Sequence, residues 1–255
     1  MTNVDAYSLA TVPVQQVANN TPMNSATAFI WKRNKQHYLI TNWHVISGRD
    51  ARTDELVVPA RPDILRALFN IRVGEFGKQQ CDIRIRDDAG KPLWLVYPGR
   101  GRGVDVAVLP IPMTGEEPIM HMYPINTLPA DDLAVRIGMD VFILGYPFGA
   151  SPPAFPVWKR GSVASEPDLV DLTTGYLLVD TASRPGMSGG PVVRRTWCTH
   201  LREDGSFSMD GNSATKIVGI YSGRLYTKDQ TDAQLGMVWP ARLIEQIIAG
   251  NCRDE

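Results

Sequence analysis

The sequence predicts an all-β protein: two consecutive β units followed by one short amphipathic helix. Three observations carry that prediction. Short strand-like runs bounded by turn residues recur along most of the chain. The 22 glycines and 19 prolines of the 255 residues fall without a repeat period, as the many turns of β architecture require. The one sustained helical periodicity lies at the C-terminus.

In chain order, residues 1–24 are polar and aperiodic and read as a flexible N-terminal arm. Residues 25–115 form the first β unit, with strand-like runs at 27–32, 37–41, 68–73, 82–86, 93–97 and 105–109. Asp87, Asp88, Ala89 and Gly90 join two of these runs as a hairpin, and 63–68 is read as a helical turn. Residues 116–135, rich in Pro, Thr, Glu and Asp, read as a linker with few obligatory contacts. The second unit, 136–239, repeats the pattern at 140–145, 159–164, 176–180, 191–194, 216–221 and 236–239. From 240 to 250, Pro240 near the first turn, the apolar stripe Leu243, Ile244, Ile247 and Ile248, and Gly250 at the C-cap specify a helix packed on the second unit.

With 26 Lys and Arg against 27 Asp and Glu, the formal net charge is −1, which supplies no electrostatic reason for a nucleic-acid or anionic-membrane partner. No stretch approaches the ~18 apolar residues of a membrane helix, and the N-terminus has neither a basic start nor an apolar leader core. Cys81, Cys198 and Cys252 are odd in number and widely spaced, so no disulfide framework is expected and a cytoplasmic setting is.

Three segments each end a strand-like run with a residue type that nucleophilic catalysis needs. A serine hydroxyl is a poor nucleophile at neutral pH and needs a neutral imidazole to take its proton; Ser188 and His44 are the candidates. The imidazole needs a buried acceptor to fix its tautomer, and Asp105, set between Val104 and Val106, can provide it. Gly186, Gly189 and Gly190 let the chain turn tightly around Ser188 and bring the Gly186 and Ser188 N–H groups onto one point for a developing oxyanion.

Thr41-Asn42-Trp43-His44-Val45, Asp105-Val106-Ala107-Val108-Leu109 and Pro185-Gly186-Met187-Ser188-Gly189-Gly190-Pro191 together resemble the three signature segments of trypsin-like (chymotrypsin-fold) serine peptidases, nearest to the bacterial HtrA/DegP-like protease domain. Leu144-Gly145-Tyr146-Pro147-Phe148-Gly149 and Val218-Gly219-Ile220 are supporting matches, and the resemblance spans roughly residues 25–250. It implies two six-stranded antiparallel β-barrels with a cleft between them, and a serine endopeptidase with His44, Asp105 and Ser188 as catalytic residues. It further implies a Gly186 and Ser188 oxyanion hole, Ala182 at the base of the specificity pocket, and Gly219, Ile220 and Tyr221 pairing with an extended substrate. A protein or peptide substrate is implied, and no metal or organic cofactor.

Departures from the family pattern carry their own implications. Val45 stands where secreted relatives have a cysteine, and Met187 where zymogen-activated members have an acid, so activation by a buried N-terminal ion pair is not expected. Ala182 offers no carboxylate for Lys or Arg and implies a small-to-medium apolar preference. No PDZ domain is expected after the helix. The alternative function is a catalytically silent or latent trypsin-fold module that binds or is regulated, since a flipped peptide at Gly186 would disarm the site without changing a residue.

Other motifs carry less. Gly186-Met187-Ser188-Gly189-Gly190 also fits the α/β-hydrolase elbow, but that fold needs its acid and histidine after the serine, and only His200 follows. Cys198-Thr199-His200 falls short of a zinc set, and His37 and His121 read as surface or linker residues. Gly99-Arg100-Gly101-Arg102-Gly103 reads as a basic loop without phosphate-loop spacing, and 196–215 as a solvated loop.

Overall fold

The computed structural model describes residues 4–71, 77–112, 120–149, 155–182, 184–225 and 234–255. The chain opens with a single helical turn, α1 (Ala6–Ala10), and runs directly into β1 (Thr11–Ala18). Then come β2 (Thr21–Arg33), β3 (Gln36–Thr41), the five-residue α2 (Trp43–Ser47), β4 (Ile64–Ile71), β5 (Lys78–Arg84), β6 (Leu95–Val96), β7 (Ala107–Pro110) and β8 (Met120–His121). The second unit contains β9 (Asp140–Gly145), β10 (Val157–Val163), β11 (Leu177–Asp180), β12 (Pro191–Leu201), β13 (Phe207–Arg224) and β14 (Leu235–Pro240), before α3 (Arg242–Gly250) and β15 (Cys252–Arg253).

The fold is chymotrypsin-like with two antiparallel sheets. The second closes into a six-stranded barrel in the order β10-β11-β14-β13-β12-β9. The first has nine described strands in the order β15-β6-β7-β3-β2-β1-β4-β5, with β8 added on β4. Two of its edge pieces, β8 and β15, are only two residues long.

The N-terminal arm of the sequence reading is instead structural. β1 pairs with both β2 and β4 and is buried on both faces, so its valines show no alternation to read. Arg195 of β12 pairs with Asp5 and stacks on the Tyr7 and Trp158 rings, and Trp158 Nε1 donates to Ser8 Oγ at 2.8 Å. These contacts clamp the start of the chain onto the second barrel.

Other elements differ from the sequence expectation for equally local reasons. Residues 64–68 are strand rather than helical turn, because pairing with β1 and β5 overrides their propensity. Within the expected linker, Asn126 exchanges two hydrogen bonds with the Lys32 backbone, and Met122, Ile125 and Leu133 are buried. The expected loop at 196–215 is a β12–β13 hairpin extended beyond the barrel, with Trp197, Phe207 and Met209 exposed on it. His37 is buried in β3. Residues 72 and 73 of the expected run at 68–73 lie outside the described residues.

Helix α3 buries the expected stripe Leu243, Ile244, Ile247 and Ile248, each worth about 1.5–3 kcal/mol of apolar burial. It terminates one residue later than expected, at Asn251 in the left-handed conformation (φ 48°). Rather than packing on the second unit alone, the helix completes a core shared by both. Phe29, Ile40 and Val106 of the first unit meet Leu144, Val193 and Ile220 of the second against it, and Trp31 Nε1 donates to Glu245 Oε1 at 2.7 Å.

Candidate active site

His44 sits on α2, the single helical turn after β3. Gly48 ends that turn at φ 74°, its N–H donating to the His44 carbonyl at 3.1 Å. β1 steadies the turn from behind, because the buried Gln16 Nε2 donates to the Val45 carbonyl at 2.6 Å. Asp105 lies just before β7 on a γ-turn closed by Val106 N–H to Val104 O at 2.7 Å. Both flanking valines are fully buried and Asp105 is 7 % exposed.

The carboxylate grips His44 at two points. The His44 backbone N–H donates to Oδ1 at 2.9 Å, and ring Nδ1 lies 2.7 Å from Oδ2. Ser222 Oγ also donates to Oδ2, and Asn42 Nδ2 donates to the Asp105 carbonyl at 2.8 Å. The carboxylate oxygens accept the first three of these bonds, so Nδ1 carries the proton and the neutral ring presents the Nε2 lone pair. Burial pulls the His44 pKa down, but the charge and hydrogen bond of Asp105 outweigh it and hold it above the ordinary 6.5.

Ser188 stands on the turn before β12, in a loop fixed through its backbone. Its carbonyl accepts from Thr27 N at 2.9 Å, Thr27 Oγ1 donates to the Gly186 carbonyl at 2.7 Å, and Phe148 N donates to the Pro185 carbonyl at 2.9 Å. Gly186 has φ 94°, and a Cβ there would lie 2.3 Å from the Tyr146 carbonyl, so only glycine fits. Met187, Gly189 and Gly190 donate their N–H groups to Arg184, Tyr221 and Met187 carbonyls. The Gly186 and Ser188 N–H groups, by contrast, have no acceptor among the described residues. Met187 is buried among Val141, Ile143, Val192 and Tyr221.

His44, Asp105 and Ser188 line one cleft of about 650 Å³, walled further by Tyr176, Met237 and Trp239 and by the segment 222–225. No hydrogen bond joins Ser188 Oγ to His44 among the described residues. The residues expected to pair with substrate are engaged by the protein itself. Gly219, Ile220 and Tyr221 pair with β12 and β14 inside the barrel, and Tyr221 exchanges both backbone bonds with Gly189 and Gly190. A register shift between Tyr221 and Arg224 instead takes Ser222 and Gly223 out of the β14 ladder beside the nucleophile. A Cβ on Gly223 would lie 3.6 Å from Ser188 Oγ. Ala182, half-buried beyond β11, is not among the residues lining the cleft.

Sequence reasoning missed Gln16, Thr27 and Ser222. Gln16 and Thr27 are buried polar residues in strands, which sequence alone does not distinguish from surface ones. Ser222, two residues after the Val218-Gly219-Ile220 match, was within reach of that signal. Among the described residues there is no group of three or more His, Cys, Asp or Glu able to hold a metal.

Comparison with known proteins bears on the family and the fold. The model of the trypsin-like peptidase domain matches residues 26–199. A serine endoprotease from Yersinia pestis shares the fold at TM-score 0.52 and 16% identity, covering 98% of this chain and 67% of that one. A Mycobacterium tuberculosis protease in its active form does so at TM-score 0.51 and 17% identity, covering 98% and 84%. Among curated proteins none matches the sequence significantly. The family model covers more than half of the chain, so this chain belongs to the trypsin-like peptidase domain family.

Proposed function

We propose that the protein is a serine endopeptidase using a His44-Asp105-Ser188 triad. The observation that carries this reading is the two-point grip of Asp105 on His44, which leaves Nε2 as the free base on the cleft shared with Ser188.

In this mechanism Ser188 Oγ attacks the scissile carbonyl carbon and its proton passes to His44 Nε2. The Gly186 and Ser188 N–H groups receive the oxyanion. His44 then gives the proton to the leaving amine as the C–N bond breaks, leaving an ester on Ser188. Water attacks the ester with Nε2 again as base, releasing the acid and restoring the hydroxyl. Asp105 keeps its two-point grip on His44 throughout, and the substrate backbone adds alongside Ser222 and Gly223. The bond from Phe148 N to the Pro185 carbonyl supports a working hole, because it turns that carbonyl toward Phe148 and the trans-peptide N–H of Gly186 the opposite way. Cys81, Cys198 and Cys252 form no disulfide among the described residues, which supports a reducing, cytoplasmic setting.

A latent form of the same enzyme is the second reading, favoured by the missing Ser188–His44 hydrogen bond, which would form as substrate or a partner orders the site. Digestion of an unfolded protein, with new N-termini read by mass spectrometry, tests the main reading. Cleavage that disappears in Ser188→Ala is expected, and undiminished cleavage by that variant contradicts it.

A further inference from the structure

The turn that carries His44 is too short to hold itself. α2 has five residues, and its N-cap residue Asn42 makes no side-chain hydrogen bond to it. A helix of one turn has no stability of its own, so the direction of the imidazole is set by what grips α2 from outside. Asp105 grips it at the cleft, and Gln16 holds the Val45 carbonyl from β1. A third grip acts on Trp43, the residue before His44, and comes from the segment after α3.

Past α3, the left-handed Asn251 donates its N–H to the Ile247 carbonyl at 3.0 Å and turns the backbone into β15. There Cys252 pairs with Val96 and Arg253 with Leu95 of β6, and Leu95 pairs in turn with Val108 of β7, the strand that follows Asp105. This register delivers Asp254 to the side of α2 away from the nucleophile. Its backbone N–H donates to the Trp94 carbonyl at 3.3 Å, and its Oδ2 accepts from Trp43 Nε1 at 2.7 Å and from Trp94 Nε1 at 3.1 Å. Both indoles are buried, and a buried N–H without an acceptor is costly, so the two rings are held to that one oxygen. Trp43 and Ser47 of α2 also border a cavity of about 360 Å³. Packing therefore leaves room behind the turn, and the bond to Asp254 supplies direction that packing does not. Asp254 itself is not among the residues lining the cleft.

We propose that Asp254 is a positioning residue for the catalytic base: through Trp43 it fixes the rotation of α2 that points His44 toward Ser188. His44 is a base only on the endopeptidase reading, so two readouts keep the two failures apart. The Nδ1–H proton resonance of His44 reports its bond to Asp105 whether or not the protein is an enzyme. The first-order step of fluorophosphonate labelling at Ser188 reports the working pair. Asp254→Ala and Trp43→Phe each shift or broaden the resonance and slow the labelling step about tenfold or more, while reversible binding of the probe is unchanged. The double variant is no slower than the slower single one, because both substitutions remove the same bond. Trp94→Phe deletes the other donor to the same oxygen without touching α2 and loses less than Trp43→Phe. Asp254→Asn keeps an oxygen acceptor in place, retains more of the rate than Asp254→Ala, and serves as the partial-loss variant if the alanine protein does not fold. Unchanged readouts in both Asp254 variants, losses that multiply in the double variant, or an equal loss in Trp94→Phe overturns the proposal. An unsubstituted protein that takes no label, but whose resonance responds to these variants as stated, overturns the endopeptidase reading and leaves the positioning contact standing.

Discussion

On one wall of the cleft His44 is fixed by two bonds to the buried Asp105 carboxylate; on the other, the carbonyls of Pro185, Gly186 and Ser188 are fixed by donors from Phe148 and Thr27. The first arrangement responds to charge and pH. The second responds to volume, because at Gly189 a Cβ would lie 2.1 Å from the Thr27 carbonyl. One wall tunes a proton, then, and the other holds two N–H groups and a hydroxyl without tuning anything.

The contrast orders the expected losses. Ser188→Ala removes the nucleophile and lowers kcat by up to about 10⁶, roughly 8 kcal/mol, in steady-state turnover. Asp105→Asn breaks the charge-based wall and costs about 10⁴, since His44 loses the acceptor that sets its tautomer. Gly186→Ala breaks the volume-based wall. Its loss of about 10²–10³ in kcat comes with a lower midpoint of thermal unfolding, because the φ of 94° and the Tyr146 carbonyl oppose a methyl group. Ser222→Ala removes one hydrogen bond to Asp105 and costs about tenfold, near 1.4 kcal/mol.

The smallest effect sharpens the comparison most. Catalysis needs neutral His44, so kcat/KM rises with pH through a value above 6.5, and the rise moves to lower pH in Asp105→Asn. Stability runs the other way. A folded pKa above the unfolded one means that protonated His44 stabilises the fold, fully below about 6.5 and progressively less as pH climbs through the folded value. Unfolding measured across that window in the wild type and in His44→Gln separates the two trends; parallel curves contradict the assignment.

Legibility in the sequence follows the same division. The meeting of His44, Asp105 and Ser188 at one cleft, the β9 limits and the buried stripe of α3 could be read because each depends on local pattern: signature spacing, alternation or a helical face. What could not be read depends on partners distant in sequence. β1 looks aperiodic because it is covered on both faces, and Gln16 supports the His44 turn across 29 positions. That Gly219, Ile220 and Tyr221 stay in the ladder while Ser222 and Gly223 leave it is decided by a bulge in β13 that is invisible in composition.

The most direct test of the central claim is covalent labelling of the purified protein by a fluorophosphonate probe, read by intact mass. A working site predicts a single adduct on Ser188 that is lost in Ser188→Ala. Folded protein that takes up no adduct, or an adduct that survives the substitution, contradicts the account.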